Sequence, residues 1–122
     1  MNAGCPFCQP TELLHENHLA YVIRDKFPVN PGHLLILPRR HVADWFETTP
    51  AERIALFELA DTAKAWLDHE FHPDGYNLGI NVGEAAGQTI FHVHLHLIPR
   101  YRGDVPDPRG GVRGVIPSKQ NY

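Results

Sequence analysis

The 122-residue sequence has only two cysteines, Cys5 and Cys8, and no apolar run that approaches 18 residues. Two cysteines cannot build the multi-bridge framework of a small secreted domain. In a reducing compartment they stand as thiols or metal ligands. Roughly 18 apolar residues are the least that a membrane-spanning helix needs. The start of the chain also lacks the basic-then-apolar pattern of a secretory leader. The expectation is a soluble, cytoplasmic protein. Positive charge is not in surplus: Lys and Arg number 11 against 14 Asp and Glu, a formal net charge of −3 with histidines neutral. This excludes a broad nucleic-acid or anionic-membrane surface and leaves room only for a local basic patch. No internal repeat is present, and the Gly-Lys-Ser/Thr ending of a Walker A loop is missing.

The length suits one domain, large enough to bury about two-thirds of its unfolded surface without disulfides. What the chain has in abundance is histidine, nine in all. Histidine titrates near neutral pH and is the commonest metal ligand, so the composition points to site chemistry.

Residues 1–17 read as an irregular lead-in around Cys5-Pro6-Phe7-Cys8. Residues 18–23 read as a strand, broken by Pro28, Pro31 and Gly32. Residues 33–37, apolar on both faces, read as a central strand ended by Pro38. Thr49, Pro50 and Glu52 form an N-cap with a capping box and open a helix over 49–71. Leu56, Ala60, Ala63 and Leu67 recur on one helical face, with Trp66 beside them. Pro73-Asp74-Gly75 stops it. Residues 76–82 and 91–98 read as strands joined by the short glycine-bearing loop 83–89, hence antiparallel. The class is α+β, an antiparallel sheet with one main helix. Residues 1–102 form the domain. Residues 103–122 form a Pro/Gly/Arg-rich tail.

His92, His94 and His96 alternate with Val93, Leu95 and Leu97. On a strand, the imidazoles share one face and the aliphatic side chains the other. The bland alternative is a half-buried strand whose polar face carries histidine. A metal site using all three is geometrically poor. Positions i and i+4 lie about 13 Å apart on a strand, against zinc–nitrogen bonds of about 2.0–2.1 Å. A third alternative is nucleophilic attack at phosphorus. Neutral imidazole is a good nucleophile, and flanking histidines supply protons or charge. The middle residue, His94, is the natural nucleophile, its other ring nitrogen donating to a main-chain carbonyl. Before the strand, Gly83 and Gly87 allow backbone N–H groups near phosphate oxygens, and Gln88 and Thr89 add side-chain donors. A plain hairpin turn would read similarly.

The run Asn81-Val-Gly-Glu-Ala-Ala-Gly-Gln-Thr-Ile-Phe-His-Val-His-Leu-His-Leu-Ile-Pro-Arg100 resembles the signature of the histidine-triad (HIT) family, His-φ-His-φ-His-φ-φ with a Gly-Gln-Ser/Thr lead-in. Pro31-Gly32-His33-Leu-Leu-Ile-Leu-Pro38 resembles a second block of that family. Asp25, eight residues before His33, stands where members place a ribose-binding Asp or Asn. The resemblance spans about residues 5–102. It implies a nucleotide-binding fold of about five strands that pairs into a homodimer through a continuous sheet. It implies a two-step reaction: His94 attacks the α-phosphorus, and water or another acceptor releases a nucleoside monophosphate. By the same resemblance His33 and His96 contact the phosphate region, with Gln88 alongside them in catalysis. Asn81, Gly87, Gln88 and Thr89 hold phosphate or the ribose edge, and Asp25 binds ribose. Phe27 or Tyr21 is a candidate wall for the base, against an ordinary core role.

The Cys5-x-x-Cys8 pair has no preceding strand, which argues against a thioredoxin-like redox site. Two unligated thiols remain an alternative. The sharper expectation is a structural Zn²⁺ completed by His41 and His92, as in several HIT relatives that it resembles. His15, His18, His69 and His72 are lesser candidates. Four functions stay open: a dinucleoside polyphosphate hydrolase, a nucleoside phosphoramidate hydrolase, a nucleotide-binding sensor, and a zinc-dependent hydrolase. Arg100, Arg102, Arg109 and Arg113 in and near the tail are candidate contacts for distal phosphates.

Overall fold

Helix α1 (Pro50–Phe71) begins on a reciprocal cap. The Thr49 hydroxyl accepts the Glu52 N–H at 3.1 Å, and the Glu52 carboxylate accepts the Thr49 N–H at 2.8 Å. Pro50 needs no donor at this position. The Glu52 carboxylate is buried, yet paired with the Arg40 guanidinium at 2.9 Å. The helix ends where His72 turns left-handed at φ 50°. Its inner face, with Ala55, Leu56, Leu59, Ala60, Ala63 and Leu67, packs on Ala20, Val22, Leu34, Ile36, Leu95 and Leu97 of a sheet. Each such leucine contributes about 1.5–3 kcal/mol by leaving water.

The computed structural model describes residues 4–122. Its sheet has five strands: β1 (His15–Glu16), β2 (Ala20–Arg24), β3 (Leu34–Pro38), β4 (Gly75–Gly79) and β5 (Leu95–Arg100). Their spatial order is β1-β2-β3-β5-β4, every pair antiparallel. This is the expected α+β class, and the hairpin-like pairing of β4 with β5 is also as expected. No helix among the described residues is long and apolar enough to cross a membrane.

Several strand boundaries depart from the sequence pattern, β2 and β3 by one or two residues and the others by more. Strand β1 lies inside the expected irregular lead-in. At two residues it is too short for a period-2 signal, and it forms because the Asn17 side chain accepts the N–H groups of Leu19 and Ala20 and turns the chain back. Strand β4 ends at Gly79, three residues early. Strand β5 starts at Leu95 rather than at residue 91. The β3 ladder reaches β5 only as far as Ile36↔Leu95. Ahead of that point the Val93 amide bonds to the Val42 carbonyl at 2.8 Å instead. At its far end β5 runs on through Pro99 to Arg100, opposite Tyr76 and Gly75.

The alternation on β5 sets the site. Leu95 and Leu97 enter the helix-side core, so His94 and His96 occupy the opposite face of the sheet, shared with Leu35. The 25–33 connection closes where the Asp25 N–H bonds to the His33 carbonyl at 3.1 Å. Gly32 makes the turn at φ +89°, and a Cβ there would lie 2.9 Å from Leu67. The positive φ and this close approach to Leu67 favour glycine at the residue that leads into His33.

Candidate active site and metal cluster

The ring nitrogens of the four central histidines have their roles assigned by neighbours. His94 Nδ1 lies 2.8 Å from the His92 carbonyl. A carbonyl only accepts, so Nδ1 carries a proton, and in the neutral tautomer Nε2 holds the lone pair. The Val29 N–H donates to His33 Nδ1 at 3.0 Å. His33, when neutral, therefore carries its proton on Nε2. That nitrogen is 3.0 Å from His96 Nδ1 and 3.4 Å from an Asp25 carboxylate oxygen. His96 Nδ1 accepts, which leaves the His96 proton on Nε2. Burial pushes the His33 pKa down against the pull of Asp25. Burial, with His94 and His33 adding to it, pushes His96 down to about 4. Near pH 7 both rings are neutral, and His96 offers an N–H rather than a charge. The rings of His94 and His96 sit 5.1 Å apart. A ring nitrogen with a lone pair and a neutral N–H donor thus stand on adjacent rings.

Two residues expected at the phosphate take other places. Gln88 is only 3 % exposed. Its side-chain carbonyl accepts the Gly83 N–H at 2.9 Å, and its amide donates to the Ala43 carbonyl at 2.8 Å and the Ile90 carbonyl at 3.2 Å. It ties the glycine loop to the segment after β3. The Gly87 N–H bonds to the Glu84 carbonyl at 2.9 Å, within the loop. Gly83 and Gly87, at φ 90° and 93°, serve the loop's shape. Asn81 and Thr89 flank it, the first half-buried and the second exposed. Tyr21 is a core residue whose hydroxyl donates to the Phe7 carbonyl. Phe27 is 86 % exposed beside Asp25, whose carboxylate accepts the Phe27 N–H.

Three of the four arginines have partners within the protein. Arg100 pairs with Asp104 at 2.7 and 2.8 Å and with Asn77 at 2.6 Å, holding the Asp104 carboxyl well below the usual range. Arg113 donates to the Lys119 and Gln120 carbonyls and lies over the Tyr122 ring. Arg102 and Arg109 are exposed, and Arg102 Nε lies 3.8 Å from an Asp74 carboxylate oxygen.

Cys5, Cys8, His41 and His92 form a second cluster, with one ligand atom from each within 4.8 Å of all the others. His92 is fully buried, and its Nε2 donates to the Pro38 carbonyl at 2.8 Å. Its Nδ1 is therefore a lone pair, 3.5 Å from the Cys5 sulfur and 3.6 Å from the Cys8 sulfur. His41 Nδ1 is 3.2 Å from the Cys8 sulfur. A tetrahedral ion with bonds of about 2.3 Å to sulfur and 2.0–2.1 Å to nitrogen separates such atoms by roughly 3.6 Å. The donor set and spacing fit zinc, and the Pro38 carbonyl is the outer partner that orients a ligating histidine. Burial pushes the Cys5 thiol up and the His92 ring down, both costs that a bound cation offsets. His15, His18, His69 and His72 lie outside this cluster.

Asp25, His33 and His96 also approach one another closely enough for a metal. The tautomer argues against it. Ligation through His33 Nε2 moves the proton to Nδ1, where it meets the Val29 N–H at 3.0 Å. The triad is thus divided. His92 belongs with the cysteines, and His94 and His96 belong with His33. Sequence reasoning missed Phe7, whose ring lies 5.1 Å from that of His94, and the Val29 N–H. The first had a signal in its place between two cysteines. The second had none, because a backbone donor carries no residue-type signature.

The HIT domain model matches residues 7–103. The AP-4-A phosphorylase of Mycobacterium tuberculosis is 34 % identical over 87 residues, covering 70 % of this chain and 45 % of that one. A crystal structure of a HIT family protein from Bacillus anthracis superposes with a TM-score of 0.78 at 35 % identity, covering 85 % of this chain and 78 % of that one. A Zn-bound histidine triad family protein from Mycobacterium smegmatis gives a TM-score of 0.75 at 32 % identity, covering 85 % and 84 %.

Proposed function

Because the chain belongs to the HIT domain family, we propose that it is a nucleotide hydrolase or transferase in which His94 attacks the α-phosphorus of a dinucleoside polyphosphate. The observation that carries this is the 2.8 Å contact of His94 Nδ1 with the His92 carbonyl, which leaves Nε2 unprotonated beside a neutral donor. In the first step the His94 Nε2–P bond forms and the P–O bond to the leaving polyphosphate breaks. The polyphosphate leaves as its anion with the bonding electron pair, and the neutral His96 Nε2–H donates a hydrogen bond to the oxygens on which charge develops, its ring held by His33. In the second step water or another acceptor breaks the N–P bond and releases the nucleoside monophosphate. His94 departs as the neutral imidazole with its Nε2 lone pair restored, and the proton lost by an attacking water passes to solvent. Asp25 receives the ribose hydroxyls, and Asn81 and Thr89 hold phosphate oxygens. Gln88 acts through the loop it braces.

The name AP-4-A phosphorylase on a relative supports a dinucleoside tetraphosphate, with phosphate as a candidate acceptor. Zinc belongs at Cys5, Cys8, His41 and His92 in this scheme, as a closed structural ion; the zinc-bound relative supports it. A homodimer through the outer edge of β4, which pairs on one side only, completes it. A nucleoside phosphoramidate is the second reading. The internal pairing of Arg100 and Arg113 favours it, since fewer cations remain for a long phosphate chain. Diadenosine tetraphosphate and adenosine phosphoramidate, assayed side by side, decide between them. A trapped nucleotidyl-protein mass on His94 is expected. Turnover of neither substrate overturns the proposal.

A further inference from the structure

His94 is tied by one hydrogen bond, from Nδ1 to the His92 carbonyl. One bond fixes an axis, and an imidazole can still swing about it and carry Nε2 off line. Two rings restrict that swing. The His96 ring lies 5.1 Å away at 65°, and the Phe7 ring lies 5.1 Å away at 60°. His96 itself hydrogen-bonds to His33 and offers its other N–H to the phosphate, so Phe7 is the chemically inert neighbour.

Phe7 is anchored on several sides. Its carbonyl accepts the Tyr21 hydroxyl. Its ring packs against the buried cluster of Tyr21, Leu35 and Leu37 and lies 6.1 Å from that of His92. Cys5 and Cys8 bracket it, with sulfurs 3.2–3.6 Å from the ring nitrogens of His41 and His92. We propose that Phe7 is a positioning residue for the nucleophile: its ring, carried on the Cys5–Cys8 loop, holds the His94 imidazole so that Nε2 faces the phosphorus. This rests on the nucleophilic role of His94 given above. It also gives the cysteine cluster a consequence in the reaction, because the order of its loop reaches His94 through one aromatic ring. Attack requires orientation within about 10–20°, and a misplacement of about 1 Å costs on the order of 100-fold in rate.

The test uses the full chain with Phe7→Leu, which keeps bulk without a ring, and Phe7→Tyr, which keeps the ring. Two quantities are read: the single-turnover rate of His94 nucleotidylation by diadenosine tetraphosphate, and the exchange rate of the His94 Nδ1–H proton by NMR. Phe7→Leu is expected to slow nucleotidylation about 10-fold or more, with KM near wild type and faster Nδ1–H exchange. Phe7→Tyr is expected to keep both near wild type. An unchanged rate and exchange in Phe7→Leu overturn the proposal. A raised KM with unchanged kcat also overturns it, by making Phe7 a nucleoside contact. Exchange is measured before and after chelation. Faster exchange in Phe7→Leu before chelation, with wild type rising towards it once chelation loosens the Cys5–Cys8 loop, supports the clamp, and equal exchange before chelation removes it. If no substrate nucleotidylates wild-type His94, the proposed function fails, and the exchange measurement still decides the role of Phe7.

Discussion

His33 Nε2 lies 3.0 Å from His96 Nδ1. Because the Val29 N–H holds the other nitrogen of His33, a proton can sit between these two rings in only one sense while both are neutral. The consequence is a His96 Nε2 that donates.

The burial of His96 makes stability pH-dependent. Its folded pKa, about 4, lies below its ordinary 6.5. Above pH 6.5 both folded and unfolded chains carry the neutral ring, and stability is full. As pH falls from 6.5 towards 4, the unfolded chain binds a proton that the folded chain refuses, and stability declines by up to about 3 kcal/mol at about 1.4 kcal/mol per pH unit. Urea unfolding of the wild type and His96→Gln between pH 7.5 and 4.5 measures the difference. Parallel curves would show that His96 is not held neutral.

Replacing His94 with Ala is expected to reduce kcat by about 10³-fold or more while nucleotide still binds. Calorimetric titration beside a turnover assay separates the two effects. Full activity in His94→Ala removes the nucleophile assignment.

Elemental analysis is expected to find about one zinc per chain, lost in Cys8→Ser. Removal of the ion should lower Tm by roughly 10 °C or more, since a tightly held ligand stabilises a fold by about 4 kcal/mol. A folded, metal-free wild type with unchanged Tm contradicts the zinc assignment. Turnover lost on chelation with Tm unmoved would instead indicate a catalytic metal.

Gln88→Ala is expected to cost about 2 kcal/mol of stability, because it leaves the Gly83 N–H and the Ala43 carbonyl without the partner they have. Thr89→Val, at an exposed position, should lower the rate at near wild-type stability. Should Gln88→Ala instead raise KM with stability intact, Gln88 binds phosphate directly.

Much of this molecule is local in origin and therefore legible in the chain. The cap of α1 lies within four residues, the leucine spacing marks its buried face, and the alternation of His94 and His96 with Leu95 and Leu97 sorts imidazole from aliphatic across the sheet. Family likeness in those same segments brought Cys5, Cys8, His41 and His92 together as an expected metal set, although 87 residues separate Cys5 from His92. What the chain could not specify by itself were partners chosen across the fold. Gln88 reads as a phosphate donor because its amide is polar and loop-borne. Only the packing of the loop against Ala43 turns that amide inward. The protons on His33 and His96 follow from a Val29 backbone donor that any residue but proline would supply. Arg100 reads as a free cation until Asp104 closes on it. The local features depend on side-chain type and spacing, which the sequence determines. The others depend on which backbone group lies within about 3 Å, and that only the tertiary structure decides.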